Sequence, residues 1–254
     1  MMKIGVLGAG TMGNGIAQVM ASAGHEVTLC DIDNEILRTA ASTIDANLWR
    51  LYKKENKEFS EIGRVLSRIT FTTDKTKLAG LDIVIEAILE NRDIKKRVFA
   101  ELDAICDPKT ILASNTSGLS ITEIGSATGR PDRVIGMHFF NPVPVMKLVE
   151  IIKGSETSDE TYDTVKKLVE DSGKESITIL DAPLFVVNRI LVPMINEAIF
   201  VLGEGIASAE DIDKGMVLGT NQPIGPLALA DLIGLDTLLS VAETLFEETG
   251  DTKY

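Results

Sequence analysis

Apolar residues recur in short runs through the first 180 or so positions: KIGVLG (3–8), EVTLCD (26–31), ITFTT (69–73), DIVIEAI (82–88), TILASN (110–115), VIGMHFF (134–140), KLVEII (147–152) and SITIL (176–180). Between these β-rich runs the apolar positions follow helical spacing, the longest such stretch running from about Asp33 to Lys57. Strand runs alternating with helical patterns predict parallel βαβ units. After DAP at 181–183 only helical spacing remains, broken by glycines at 203–205 and 215–219 and by QPIGP. The expectation is an α/β fold: a doubly wound, mostly parallel sheet over residues 1–182, then an all-helical domain over 183–254. The apolar stretch 184–202 carries Asn188, Arg189, Pro193, Asn196 and Glu197. Those residues are too costly for a lipid-facing span, so a buried helix is expected there.

Composition narrows the partners. The formal net charge is −13 and the pI is about 4.7. Such a surface repels phosphate backbones and anionic lipid, so neither nucleic acid nor membrane is an expected partner. An anionic small ligand would have to meet a local basic patch. The two cysteines, Cys30 and Cys106, form no CxxC pattern, which suits buried reduced thiols and no metal site. Met1-Met2-Lys3 leads straight into the first strand run, with no pattern of a signal peptide, so a cytoplasmic protein is expected.

The first strand run ends in GAGTMG, and a helical pattern follows at once. A lone GxGxxG is weak evidence; a strand before it and a helix after it make it a dinucleotide-binding signal and the sheet Rossmann-like. Gly8 and Gly10 would allow the tight turn and close approach of a pyrophosphate, and Gly13 the packing of helix on strand. Thr11 and Met12 belong to the same loop as candidate cofactor-binding residues. Asp31 lies 18 residues past Gly13, at the end of the second strand run, placed to bind ribose hydroxyls. Its charge disfavours a 2′-phosphate, so NAD is expected over NADP. The alternative is a tight βα turn without a ligand.

Ligands of open α/β sheets bind beyond the carboxyl ends of the strands, and polar residues gather at those ends here. Glu86 and Glu90 follow one run, with Lys95 on the next helix; Asn115 and Ser117 follow another. Ser120 stands three residues before Glu123, the spacing of a helix capping box. His138, one of two histidines, lies in an apolar run ahead of a proline-rich bend. A hairpin centred on Pro144 would set His138, six residues before it, opposite Glu150, six residues after it. A carboxylate beside an imidazole fixes its tautomer and favours its protonated form, as general acid–base catalysis requires. The competing reading is a core histidine with a satisfied hydrogen bond. Asn188, in the apolar stretch, would either bond neighbouring backbone or reach a substrate.

Taken together, GAGTMGNGIAQVMASAGHEVTLCD, EAILEN, SNTSGLSITEI, GMHFFNPVPVMKLVEI and APLFVVNRILVPMINEA resemble the L-3-hydroxyacyl-CoA dehydrogenases, nearest to the bacterial short-chain members, over essentially the whole chain. The resemblance implies a Rossmann-like domain followed by a helical domain that forms a homodimer, NAD as cofactor and an acyl-CoA as substrate. It implies His138 as acid–base catalyst, Glu150 as its orienting partner, and Ser117 and Asn188 as hydrogen-bonding groups near the reacting carbon. Glu90, Lys95 and Asn115 match positions lining the cofactor. Arg50, Lys53, Lys54 and Lys57 form one basic helix face that would meet the phosphates of CoA, with Asn47, a serine in some relatives, beside them. Members of the family continue past Tyr254, so the last packing layer of the helical domain is expected to be incomplete here. The implied reaction interconverts (S)-3-hydroxybutyryl-CoA and acetoacetyl-CoA, favouring reduction in a butyrate or butanol route. Its rivals are a same-fold dehydrogenase of a non-CoA 3-hydroxy acid or sugar acid, and a non-catalytic NAD-binding protein.

Overall fold

The computed structural model describes residues 1–254 and divides into two compact units, Met1–Asp181 and Ala182–Tyr254. In chain order the first unit comprises β1 (Lys3–Leu7), α1 (Thr11–Ser22), β2 (Glu26–Cys30), α2 (Asn34–Glu55), α3 (Ser60–Leu66), β3 (Ile69–Thr72), β4 (Ile83–Glu86), α4 (Arg92–Ile105), β5 (Ile111–Ser114), α5 (Ile121–Gly125), β6 (Val134–Phe139), β7 (Leu148–Lys153), α6 (Asp159–Asp171) and β8 (Glu175–Leu180). All eight expected strands form and join one sheet in the order β3-β2-β1-β4-β5-β6-β7-β8. Every pairing is parallel except β6 with β7, which is antiparallel and joins His138 to Glu150 in register.

The central strands are short and apolar because both faces of the sheet are covered. In β4 all four residues are buried, Ile83 and Ile85 in one core cluster and Val84 outside it. That cluster joins Ile4 and Val6 of β1 to Ile16 and Met20 of α1, Ile44 and Leu48 of α2, and Val165 and Leu168 of α6. The inward residues of α2 recur at 37, 40, 44 and 48, one stripe of an amphipathic helix. Asp33 caps the start of α2, and Asn56, at φ 52°, ends it in the left-handed conformation.

Cys30 and Cys106 are free and buried, and burial pushes each thiol up to about 11. His25 is buried as well, its Nδ1 accepting from the Met2 N–H at 3.1 Å. Desolvation, then the nearby N-terminal ammonium, lowers its pKa. The folded state therefore prefers the neutral ring. Stability from this group is complete above the unfolded value of about 6.5 and declines as pH falls from there towards the lower folded value. His25→Asn should flatten the fall in melting temperature between about pH 7 and pH 5.5. An equally steep fall in the variant would assign the acid sensitivity to other groups.

The second unit comprises α7 (Val187–Gly203), α8 (Ala209–Thr220), α9 (Pro226–Ile233) and α10 (Leu235–Thr249). Its core is Val192, Ile195, Ala230 and Leu238. Asp213 of α8 caps α9 through the Leu227 and Ala228 N–H groups, at 2.8 and 2.9 Å. The apolar stretch 184–202 departs from expectation in two ways. The helix starts only at Val187, because Leu184 and Phe185 both take left-handed φ values of 57° and 59°. It is also not buried all round: Val192, Ile195 and Ala198 turn inward, while Ile190 and Phe200 are exposed. No helix is long and apolar enough to cross a membrane.

Candidate active site

The glycine loop lies between β1 and α1. Gly8 has φ +101°, and a Cβ there would stand 2.5 Å from the Ala87 carbonyl oxygen. A Cβ on Gly13 would stand 1.7 Å from the carbonyl oxygen of Gly8. These two glycines are dictated by the turn itself. Around Gly10 a Cβ would meet nothing within 4 Å, so its missing side chain leaves space above the loop. Side chains cap α2, α4, α5 and α6, but none caps α1, whose N-cap is Gly10. The first-turn N–H groups of α1, starting at Thr11 and Met12, thus keep donors for an anionic group, as dinucleotide binding requires. Asp31 leaves the end of β2 and accepts the Ala9 N–H at 2.7 Å. Its carboxylate is thereby held against the loop.

A second cluster forms where β4 and β5 end. Glu86 is fully buried and accepts from Lys95 Nζ at 2.6 Å, Ser114 Oγ at 2.7 Å and the Ile88 N–H at 2.7 Å. Lys95 is fully buried too, and its ammonium also lies 3.3 Å from Glu90. Glu90 in turn accepts from Thr116 Oγ1 at 2.5 Å and the Ser117 N–H at 2.8 Å. Lys95 therefore acts from beneath, locking two carboxylates rather than presenting its charge at the surface. Asn115 holds the neighbouring strand, its Oδ1 accepting the Phe139 N–H at 2.9 Å.

The third cluster is the hairpin. His138 and Glu150 are both buried, with Nδ1 2.7 Å from Oε2, and the Phe140 ring lies 4.5 Å from the imidazole centre to centre. The tautomer with the proton on Nδ1 donates to the carboxylate, so proton exchange with any ligand falls to Nε2.

Two residues of consequence escaped the sequence reading. Glu86, by contrast, was marked there as a carboxylate closing an apolar run, a visible signal. Asp181 had none: it accepts from Ser120 Oγ, Ile121 N and Thr122 N at 2.6, 3.1 and 2.8 Å, bonding residues about sixty positions away. It thereby fixes the far end of the loop that carries Ser117. Lys174 looks in sequence like an ordinary surface lysine but is buried. Ser120 does cap α5, its oxygen accepting the Glu123 N–H at 3.2 Å. The Glu123 carboxylate meets Arg92 and Lys96. The basic face on α2 is shorter than expected. Arg50, Lys53 and Lys54 are exposed on the helix, but Lys57 lies beyond its left-handed end and pairs with Glu55 at 2.6 Å. Asn47 sits on α2 in the wall of a cavity that also touches Gly10 and Thr11. Asn188 occupies the first turn of α7, in the second unit.

An open, mostly parallel sheet with an uncapped helix at a glycine loop, an acid at the end of β2 and a buried His–Glu pair defines a dinucleotide-binding oxidoreductase fold. Comparison with known proteins gives the particular family. Residues 3–182 match the family model of the 3-hydroxyacyl-CoA dehydrogenase NAD-binding domain, and residues 185–254 that of its C-terminal domain. The chain is 51% identical over 253 residues to a 3-hydroxybutyryl-CoA dehydrogenase of Clostridioides difficile, covering 100% of this chain and 90% of that protein. It is 45% identical over 238 residues to human mitochondrial hydroxyacyl-coenzyme A dehydrogenase, covering 91% and 76% of the two chains. The crystal structure of (S)-3-hydroxybutyryl-CoA dehydrogenase from Ralstonia eutropha superposes with a TM-score of 0.97 at 52% identity, covering 100% of this chain and 89% of that one. The chain belongs to the 3-hydroxyacyl-CoA dehydrogenase family.

Proposed function

We propose that this chain interconverts (S)-3-hydroxybutyryl-CoA and acetoacetyl-CoA with NAD(H). The observation that carries the reading is the buried 2.7 Å contact between His138 and Glu150 in a chain of this family. When bound, the nicotinamide supplies the acceptor or donor of hydride. The first turn of α1 and the loop Gly8–Gly13 would hold the pyrophosphate, and Asp31 the adenosine ribose. Glu90 and Asn115 line the cofactor, with Lys95 keeping Glu90 in place.

His138 Nε2 takes the hydroxyl proton in oxidation and returns it in reduction. Glu150 holds the ring by Nδ1 and offsets the charge of the imidazolium while the proton resides there. Ser117 and Asn188 hydrogen-bond the substrate oxygen near that proton. Arg50 and Lys54, with Asn47, receive the phosphates and adenosine of CoA. Arg50 and Lys54 are exposed cations on a protein of net charge −13. The helical unit forms a homodimer. Supporting this, Leu218, Leu232, Leu235 and Leu239 are all more than half exposed in the single chain. A cytoplasmic setting suits an acidic chain whose two cysteines are free thiols, and reduction is the favoured direction.

The test is NADH oxidation with acetoacetyl-CoA, repeated with NADPH. Turnover with a higher kcat/KM for NADH is expected. Asp31→Ser should narrow that preference by about tenfold, the scale of one lost charge-assisted hydrogen bond. A higher kcat/KM with NADPH would overturn the cofactor assignment. Tight NADH binding without turnover would leave a non-catalytic dinucleotide-binding protein.

A further inference from the structure

Lys174 follows the turn that ends α6 and stands one residue before β8. Its side chain is buried, yet it meets no carboxylate: the ammonium donates to the Val143 and Met146 carbonyls, each at 2.6 Å. Burying an ammonium without a counterion is costly. The same desolvation holds its pKa below the ordinary lysine value. Both acceptors belong to the segment joining β6 to β7, the connection that closes the hairpin of His138 and Glu150. On its other side this segment packs on α1, where a Cβ on Gly15 would lie 2.8 Å from Val143 Cβ. The connection is gripped between a buried cation and the dinucleotide helix.

What it shapes is a cavity of about 510 Å³. Asn141, Pro142, Val143 and Pro144 make one wall; the glycine loop and α2, including Asn47, make the others. The lining mixes hydroxyl and amide groups with apolar ones, and Glu35 is its one charged residue. Gly10 and Thr11, at one end, belong to the loop assigned to the cofactor pyrophosphate; the rest of the lining, from Thr39, Thr43 and Asn47 to Asn141–Pro144, suits a neutral chain of methylenes and amides. The pantetheine arm of an acyl-CoA has that chemistry. This assignment rests on the function proposed above.

We propose that Lys174 is a positioning residue: by pinning the Val143 and Met146 carbonyls it sets the wall of the cavity that takes the pantetheine arm. Lys174→Met keeps the apolar stem and removes both hydrogen bonds. KM for acetoacetyl-CoA should rise about tenfold, with kcat within about threefold and NADH affinity within about twofold of wild type. Lys174→Arg, which keeps a charged donor, should recover most of the KM. The backbone amides of Val143, Val145, Met146 and Lys147 should exchange hydrogen faster in the Met variant than in wild type. An unchanged KM, or a KM that rises in step with loss of NADH affinity and melting temperature, would overturn the proposal. Should Lys174→Met fail to fold, Lys174→Gln is read by the same split. Turnover of acetoacetyl-CoA by wild type tests the function separately. Without that turnover the exchange measurement still decides the clamp, because unchanged exchange at these amides would sink it.

Discussion

His138→Gln is expected to lower kcat by about 10²–10⁴-fold, the usual worth of a positioned acid–base group. Glutamine keeps a polar side chain near the imidazole in size but cannot take and return a proton at neutral pH. NADH affinity should hardly change, because the glycine loop, the first turn of α1 and Asp31 lie on other elements. Glu150→Gln isolates the other half of the pair. The fold should hold, since an amide can still accept from Nδ1 in a buried contact of 2.7 Å. A large part of kcat should be lost, because the amide no longer offsets the imidazolium charge. Wild-type rates in Glu150→Gln would mean that His138 acts alone or belongs to the core.

The second large effect is on stability. Glu86→Gln removes the charge that meets Lys95 at 2.6 Å in a site where both side chains are fully buried. Breaking one partner of such a pair costs about 3 kcal/mol or more, since the remaining charge is left in a medium that cannot solvate it. Glu90, 3.3 Å from the same ammonium and itself half exposed, compensates only in part. For a chain of this size the melting temperature should fall by roughly 6–12 °C. Adding Lys95→Met should restore a good share of the loss, because it takes away the orphaned charge. A drop of less than about 2 °C in Glu86→Gln would show that water or Glu90 already satisfies Lys95. NADH affinity offers a second readout, as Glu90 and the Ser117 N–H are held through the same cluster.

Local pattern alone determined the elements. Eight strands follow from apolar runs of period two or of continuous burial, and α2 from a stripe at 37, 40, 44 and 48, since each signal lies within one element. The glycine loop was legible because its constraint is also local: Gly13 must spare the carbonyl of Gly8, five residues back. So was the opposition of His138 and Glu150, because a short antiparallel hairpin ties register to distance from its turn. The tertiary structure decided what depends on residues far apart in sequence. Nothing near Lys95 says that its ammonium is shut between Glu86 and Glu90. Nothing near Ser120 calls for Asp181, whose carboxylate arrives from the end of the last strand. The start of α7 was misplaced because Leu184 and Phe185 take left-handed angles that the sequence normally reserves for glycine or asparagine. Lys174 carries no sequence mark at all, for burial of a lysine is settled by the chain that folds over it, and that chain lies about thirty residues upstream.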